Sequence, residues 1–311
     1  MLDQVLYLVG LPALVLGAVL AIAMLLPPLR RRPVCADCAL ALCLPAAAAL
    51  SFVLSILSDE ATRAQKVEAL LGGDGWQEWY ITPWVLLGAL VLAIAAACIG
   101  RGRWRWEVPV LAAGIGGVLL AWLLVLPGLE GLWTRLFVGL KFAIPVLVFA
   151  GVAALRRDVL FQIAAWAAAA ALSMTLMASG LYTLGFAAGA LAATAAVAAV
   201  VLAVAPSSAP SNRVGHGAAV GLSITLIMLL LVGKTYDLSD VSIWQWWMPF
   251  VGVPALFLLP RPAASSAKTT NPLGRRISLG LLALYVVLVP AIASMIQAAI
   301  DLSDTGSSGY G

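Results

Sequence analysis

An all-α, polytopic integral membrane bundle of about ten transmembrane helices is the fold class this sequence predicts, and three observations predict it. Hydrophobic residues make up 63% of the chain and charged ones 10%, against about 45–50% and about 25% in a soluble domain. Apolar runs of about 17–25 residues recur along its length, each able to cross a hydrocarbon core of about 30 Å as a helix that satisfies its own backbone. The segments between the runs alternate sharply in charge.

The ten runs fall at approximately 5–26, 38–57, 83–100, 108–127, 136–155, 159–178, 184–204, 217–233, 246–260 and 277–299. The first follows MLDQ, which carries no positive charge, and precedes Arg30, Arg31 and Arg32. Basic loops stay in the cytoplasm, so this span is expected to insert with its N-terminus outside. Without a basic leader or a small-residue cleavage site, it does not read as a removable signal. Between the second and third runs, residues 58–82 predict a short surface helix from Asp59 to Leu71. Ser58 would cap it, Asp59 and Glu60 suit its positive end, and Gly72 and Gly73 would stop it.

The fourth run carries Gly114, Gly116 and Gly117, and the fifth carries Lys141 and Pro145. Only a few residues around Ser179 to Thr183 separate the sixth and seventh, which predicts a tight hairpin. The ninth is the weakest, being short, opened by Trp244, Trp246 and Trp247, and interrupted by Pro249 and Pro254. Ten crossings return the C-terminus, with Asp301 and Asp304, to the outside.

Charge supports this order. One set of loops holds Arg30–Arg32, Arg101, Arg103, Arg105, Arg156, Arg157, Arg213, Arg261, Lys268, Arg275 and Arg276, thirteen of the eighteen basic residues. The alternate set holds four basic residues and eleven of the fourteen acidic ones. The expected inner side is therefore at +10 and the outer side at −7. Trp76, Trp79, Tyr80, Trp84 and Trp133 fall at the outer boundary and Trp104 and Trp106 at the inner one, as interfacial aromatic belts do. Because the basic residues sit in short loops between spans, the pI near 9.0 does not point to nucleic acid.

Several chemistries lack their residues. The chain has one histidine, His216, at the start of the eighth run, so haem ligation within the bundle and metalloprotease chemistry have no ligand set. No Ser or Cys pairs with a His and an acid, and no phosphate-binding glycine loop is present, so no enzyme, cofactor or metal is expected. Cys35 and Cys38 have metal or redox spacing in PVCADCALALC, but no second ligand pair accompanies them. The plainer reading is that small, soft residues open a helix there. His216 reads first as a solvated loop residue and second as a pH-sensitive gate.

Lys141 is the one full charge placed inside a span. A mid-membrane lysine costs about 2.5–3.5 kcal/mol on insertion scales. It either snorkels to the headgroups or faces the bundle, with Glu78, Glu130, Asp237 or Asp240 as outer-side partners. Pro145 loosens the turn beside it, a setting in which a carrier could hold an anion. Gln297 in the last span is the other candidate for contact with a solute.

Small residues supply the remaining pattern. Gly185, Gly189 and Ala193 form one ridge, and Ala167, Ala171, Thr175 and Ser179 form another. Between helices in lipid, close packing replaces hydrophobic association, so these ridges are expected to zip the sixth and seventh spans together. Gly189→Leu is expected to cost more than Leu191→Ala.

In the same region ASGLYTLGFAAGALAA, followed by LLLVGKTYDLS, resembles a family of uncharacterised multi-span proteins of planctomycete bacteria, over residues 178–240. The resemblance implies a bacterial inner membrane and no chemistry. Five plus five spans would suit an inverted repeat, but no internal repeat is evident. Two functional classes follow from the layout: a permease-like carrier of a small or amphiphilic solute, or a non-catalytic scaffold for a membrane protein partner. Pro45, Pro145, Pro254 and Pro290, with the glycine run, favour the carrier by permitting irregular backbone around a cavity. A membrane-bound transferase is a third reading, for which no motif speaks. Every carboxylate falls in a loop or at a span end. Ser51, Ser55, Ser173, Thr175, Ser223, Thr225, Ser294 and Gln297 are the embedded polar groups. Transport without a proton relay is expected.

Overall fold

The computed structural model of the chain describes residues 2–26, 33–71, 80, 82–99, 111, 114–116, 118, 131–155, 159–204, 216–256 and 272–308. Among them every regular element is a helix. Helix α1 runs through an α-helical turn Leu2–Val5, a π-helical stretch Leu6–Gly10 and an α-helix Leu11–Leu25. There follow α2 (Pro33–Ser58), α3 (Arg63–Leu70), α4 (Thr82–Ile99), α5 (Leu132–Leu155) and α6 (Val159–Ala178). The chain continues with α7 (Tyr182–Val204), α8 (His216–Thr235), α9 (Ile243–Ala255) and α10 (Pro272–Ser308). Seven helices are long and apolar enough to cross a membrane, and Thr82–Cys98 is a shorter apolar helix.

Two of the ten expected runs need separate comment. The fourth, 108–127, lies mostly outside the described residues. The ninth is the 13-residue α9, which contains both Pro249 and Pro254. Its rise of about 20 Å is short of the roughly 30 Å hydrocarbon core.

Alanine and leucine make these helices, and their hydroxyls do not unmake them. Thr175, Thr194, Ser223 and Thr225 each donate to the carbonyl four residues back, at 3.0, 2.9, 2.6 and 2.7 Å. A hydroxyl used this way is satisfied without leaving its own helix. Three of the eight embedded polar groups, Thr175, Ser223 and Thr225, are therefore spent as donors within their own helices.

The bundle is built around α8, of which every residue from Gly217 to Gly233 is buried. It packs on α4, α2 and α5, and its glycines set how close they come. A Cβ on Gly217 would strike the Ala93 carbonyl oxygen and stand 2.6 Å from Ala97 Cβ. One on Gly221 would stand 2.9 Å from Ala93 Cβ and 3.1 Å from the Pro45 ring. The Gly-Ala-Ala-Val-Gly stretch thus brings backbones into contact, as small-xxx-small pairs do in lipid. The start of α8 is also held by charge. Gly217 N–H and Ala218 N–H donate to the two oxygens of Asp37 on α2, at 3.3 and 3.2 Å, which occupies donors that a helix N-terminus leaves open.

Helices α6 and α7 form the most extensive helix pair. Ala167, Ala171, Thr175 and Ser179 are buried, as is Gly185, whereas Gly189 and Ala193 are half-buried. Ser173 Oγ donates to the Gly185 carbonyl at 2.7 Å across the pair. The turn between them needs Gly180 at φ +83°, with Leu238 lying over it. Gly189 faces Ser173 and also Val9 of α1. Leu191 is fully buried, so Leu191→Ala is itself expected to cost about 2–5 kcal/mol.

Side-chain pairs fix the directions of the helices. Gly17 faces Val197 and Gly189 faces Val9, so α1 runs parallel to α7. Ser55 Oγ donates to Thr183 Oγ1 at 3.2 Å, placing the end of α2 beside the start of α7. Gly252 faces Val287, while Gln245 meets Asp301, so α9 and α10 are antiparallel. The first residues of α1 and the last turns of α10 consequently share one end of the bundle with the α6–α7 turn. Leu14, Ile144 and Tyr285, all more than 60% exposed, belong to the outer apolar faces.

The surface helix differs from its expected bounds. It begins at Arg63 rather than Asp59 and ends at Leu70. Ser58 does not cap it, because α2 extends through Ser58 and its hydroxyl donates to the Ser55 carbonyl. Asp59 instead accepts from Lys66 Nζ and Thr62 Oγ1, both at 2.6 Å. Those bonds, Lys66 first, hold the Asp59 carboxyl at about 2 against an ordinary 3.8. A depressed carboxyl stabilises the fold above the unfolded value and ceases to do so as pH falls through the folded one. The loss should run from 3.8 down through about 2 and be absent in Asp59→Asn, as followed by the titration of stability in detergent.

Candidate functional site

The loop from α8 to α9 is tied down before it forms a site. Leu238 N–H donates to the Ser179 carbonyl at 3.2 Å, and Ser239 N–H donates to Asp237 Oδ1 at 3.1 Å. Asp240 then adopts φ +51°, a left-handed conformation that Asp and Asn enter more readily than other non-glycine residues. Ser242 precedes α9 with Gln245 three residues on, the spacing of a capping box. The N–H and hydroxyl of Ser242 both donate to Gln245 Oε1, at 3.0 and 2.8 Å.

Gln245 is 1% exposed, and its other amide atom joins α9 to α10. Gln245 Nε2 donates to Asp301 Oδ2 at 2.6 Å, while Gln297 Nε2 donates to Asp301 Oδ1 at 3.0 Å. One turn deeper Ser294 Oγ donates to the Gln245 carbonyl at 3.1 Å and lies 3.4 Å from Thr175 Oγ1 of α6. Asp301, Gln297 and Ser294 occupy one face of α10 at spacings of four and three residues. This polar stripe descends about 10 Å into the bundle.

Above it opens a cavity of about 370 Å³, lined by Ala178, Ser239, Asp240, Val241, Ser242, Gln245, Gln297 and Asp301. Its size falls in the range of small-molecule pockets, about 300–1,000 Å³. Two carboxylates and two carboxamides converge on it.

Of the residues singled out in the sequence, Gln297 lies in this cavity. Lys141 is on α5, but its side chain is outside the described residues. Helix α5 packs on α8 and α9, whereas Gln297 is on α10. The side chains of Cys35 and His216 are likewise outside the described residues, and Cys38 is half-buried. Among the described residues, no three His, Cys, Asp or Glu side chains group as a metal site does.

Sequence reasoning missed Gln245 and the role of Asp301. The Ser242–Gln245 capping spacing and the Ser294–Gln297–Asp301 stripe were the available signals. It also missed Gln162 of α6, fully buried with neither amide atom hydrogen-bonded, and the buried, unpartnered indole N–H of Trp246. No family model, no curated protein and no solved structure matches the chain.

Proposed function

We propose that the chain is a ten-pass protein of a bacterial inner membrane that carries a small or amphiphilic solute, with the cavity at Asp240 and Asp301 as one mouth of its path. The observation that carries this reading is the polar stripe of α10, which continues inward from a pocket of solute size. A scaffold has no need of such a depression between helix ends.

The course of the chain supports ten passes. Helix α4 ends at the end of the bundle opposite the α6–α7 turn, beside Gly217, and α5 starts at the other. Between them in the chain, Gly116 would set a Cβ 2.7 Å from Ile224, midway along α8, as expected of a further pass. Both described chain ends then face one side, which the charge distribution assigns to the outside.

Uptake into proteoliposomes tests the reading. A solute found by screening a broad panel should enter at a rate indifferent to an imposed pH gradient, because no described carboxylate lies deeper than the end of a span. Gln297→Leu should slow that uptake roughly fivefold, the worth of about one hydrogen bond. Proton-driven accumulation would overturn the passive mechanism. Failure of every solute, with co-purification of a stable membrane partner, would favour the scaffold.

A further inference from the structure

We propose that Gln162 of α6 binds a neutral hydroxyl group, of water or of a small polyol, toward the end of the bundle opposite the α6–α7 turn. The proposal rests on the carrier reading for its purpose and on the buried amide for its chemistry. Gln162 is fully buried, and neither its Nε2 nor its Oε1 has a hydrogen-bond partner. Between helices in lipid, a glutamine ordinarily bonds to a neighbouring helix. An amide buried without such a bond is a cost to the fold, and a ligand that completes it removes the cost.

Three other side-chain atoms among the described residues, Ser51 Oγ, Thr82 Oγ1 and Trp246 Nε1, are also buried without partners. A serine inside a helix has a remedy at hand in the carbonyl four residues back, as Ser223 shows. Thr82 and Trp246 each lack a partner at one atom. Gln162 differs in kind, because two amide hydrogens and a carbonyl oxygen are all unspent. The group that fits such a side chain both donates and accepts. A hydroxyl does both.

Position fixes the class of ligand further. Gln162 is the fourth residue of α6, about 5 Å inside its start, so water on that side of the membrane is near. Ser173 and Leu176 follow on the same face of the helix, within about 40° of Gln162 around its axis. Ser173 bonds to Gly185 of α7 and Leu176 abuts Gly233 of α8, so the amide looks into the bundle and not toward lipid. Neither α6, nor α7, nor α8 from Gly217 to Gly233 carries a charged residue. A bound ion would find no counter-charge on these helices, and burying an unpaired charge costs far more than burying a hydroxyl. Thr175, where the polar stripe of α10 ends, lies about 20 Å away along α6, which makes Gln162 a separate station.

The test uses the full chain in liposomes, with the side-chain nitrogen of glutamine isotopically labelled for solid-state NMR. Gln162→Leu identifies the Gln162 resonance by its loss, and leucine keeps the volume in an apolar setting, so the variant should fold. The Gln162 amide should show a cross peak to water protons. With glycerol as the probe, a new cross peak to its carbon-bound protons would identify a polyol as the occupant, and an unchanged water peak would identify water. An amide with no cross peak to either would overturn the proposal. So would a rise in unfolding temperature in Gln162→Leu, the mark of a dry, unsatisfied amide relieved. Glycerol uptake into proteoliposomes should fall at least fivefold in Gln162→Leu. A cross peak with no glycerol uptake would sink a polyol carrier and leave the site. Glycerol uptake that Gln162→Leu does not slow, with no cross peak, would sink the site and leave the carrier.

Discussion

Gly217→Leu is expected to destabilise the protein by at least about 3 kcal/mol, the upper end of what overpacking a core costs. Even the first side-chain carbon collides with the Ala93 carbonyl and comes within 2.6 Å of Ala97 Cβ. One obstacle is backbone and the other is a methyl fixed to it, so neither rotates away. Relief requires α4 to leave α8, the most buried helix of the bundle. The Asp37 carboxylate would then lose its alignment with the Gly217 and Ala218 amides. Gly88→Leu is the matched control, since a Cβ there meets nothing within 4 Å. Thermal unfolding of both variants in one detergent checks the difference, and comparable losses would remove α8 from the centre of the account.

Gln245→Leu is the second large change, with an expected cost of about 2–3 kcal/mol. Leucine keeps the volume but removes the acceptor of two Ser242 bonds and a donor to Asp301. Hydrogen bonds to a charged group contribute about 1.5–3 kcal/mol each, and a buried group left unsatisfied costs more than the bond it lost. If the amide acts through Asp301, the combination Gln245→Leu with Asp301→Asn should cost less than the sum of the two, by about 1 kcal/mol or more. Additive losses in the unfolding measurement would show that the two side chains do not cooperate.

Those two residues mark the boundary of what could be read without coordinates. Helical class, apolar runs and the close α6–α7 turn follow from hydropathy and from Gly and Ala spacing, which are local properties. Gly185 and Gly189 stood out because alanines surround them. Gly217 and Gly221 have the same spacing, yet they make the tighter contacts, because Ala93, Ala97 and Pro45 come from helices far away in the sequence. Asp37 looked like a loop charge for the same reason: its partners are the backbone amides of residues 217 and 218, which carry no sequence signal. Gln297 was found as an embedded amide. Its neighbour Asp301 was read as part of an outer tail because charge was taken to end the span, whereas α10 continues through it to Ser308. Ser58 was read as a cap on composition alone, and α2 runs one residue past the expected apolar run to include it.

The central claim, that a path for solutes leads inward from the cavity, is tested most directly at Ser294, fully buried about 10 Å below Asp301. With the four native cysteines replaced by serine, Ser294→Cys should react with a positively charged, membrane-impermeant methanethiosulfonate added to the face that carries Asp301. A negatively charged reagent of similar size should react more slowly, because Asp240 and Asp301 line the mouth. A thiol that stays unmodified in the membrane by either reagent, yet reacts fully once the protein is denatured, would contradict the path and leave the bundle a closed scaffold.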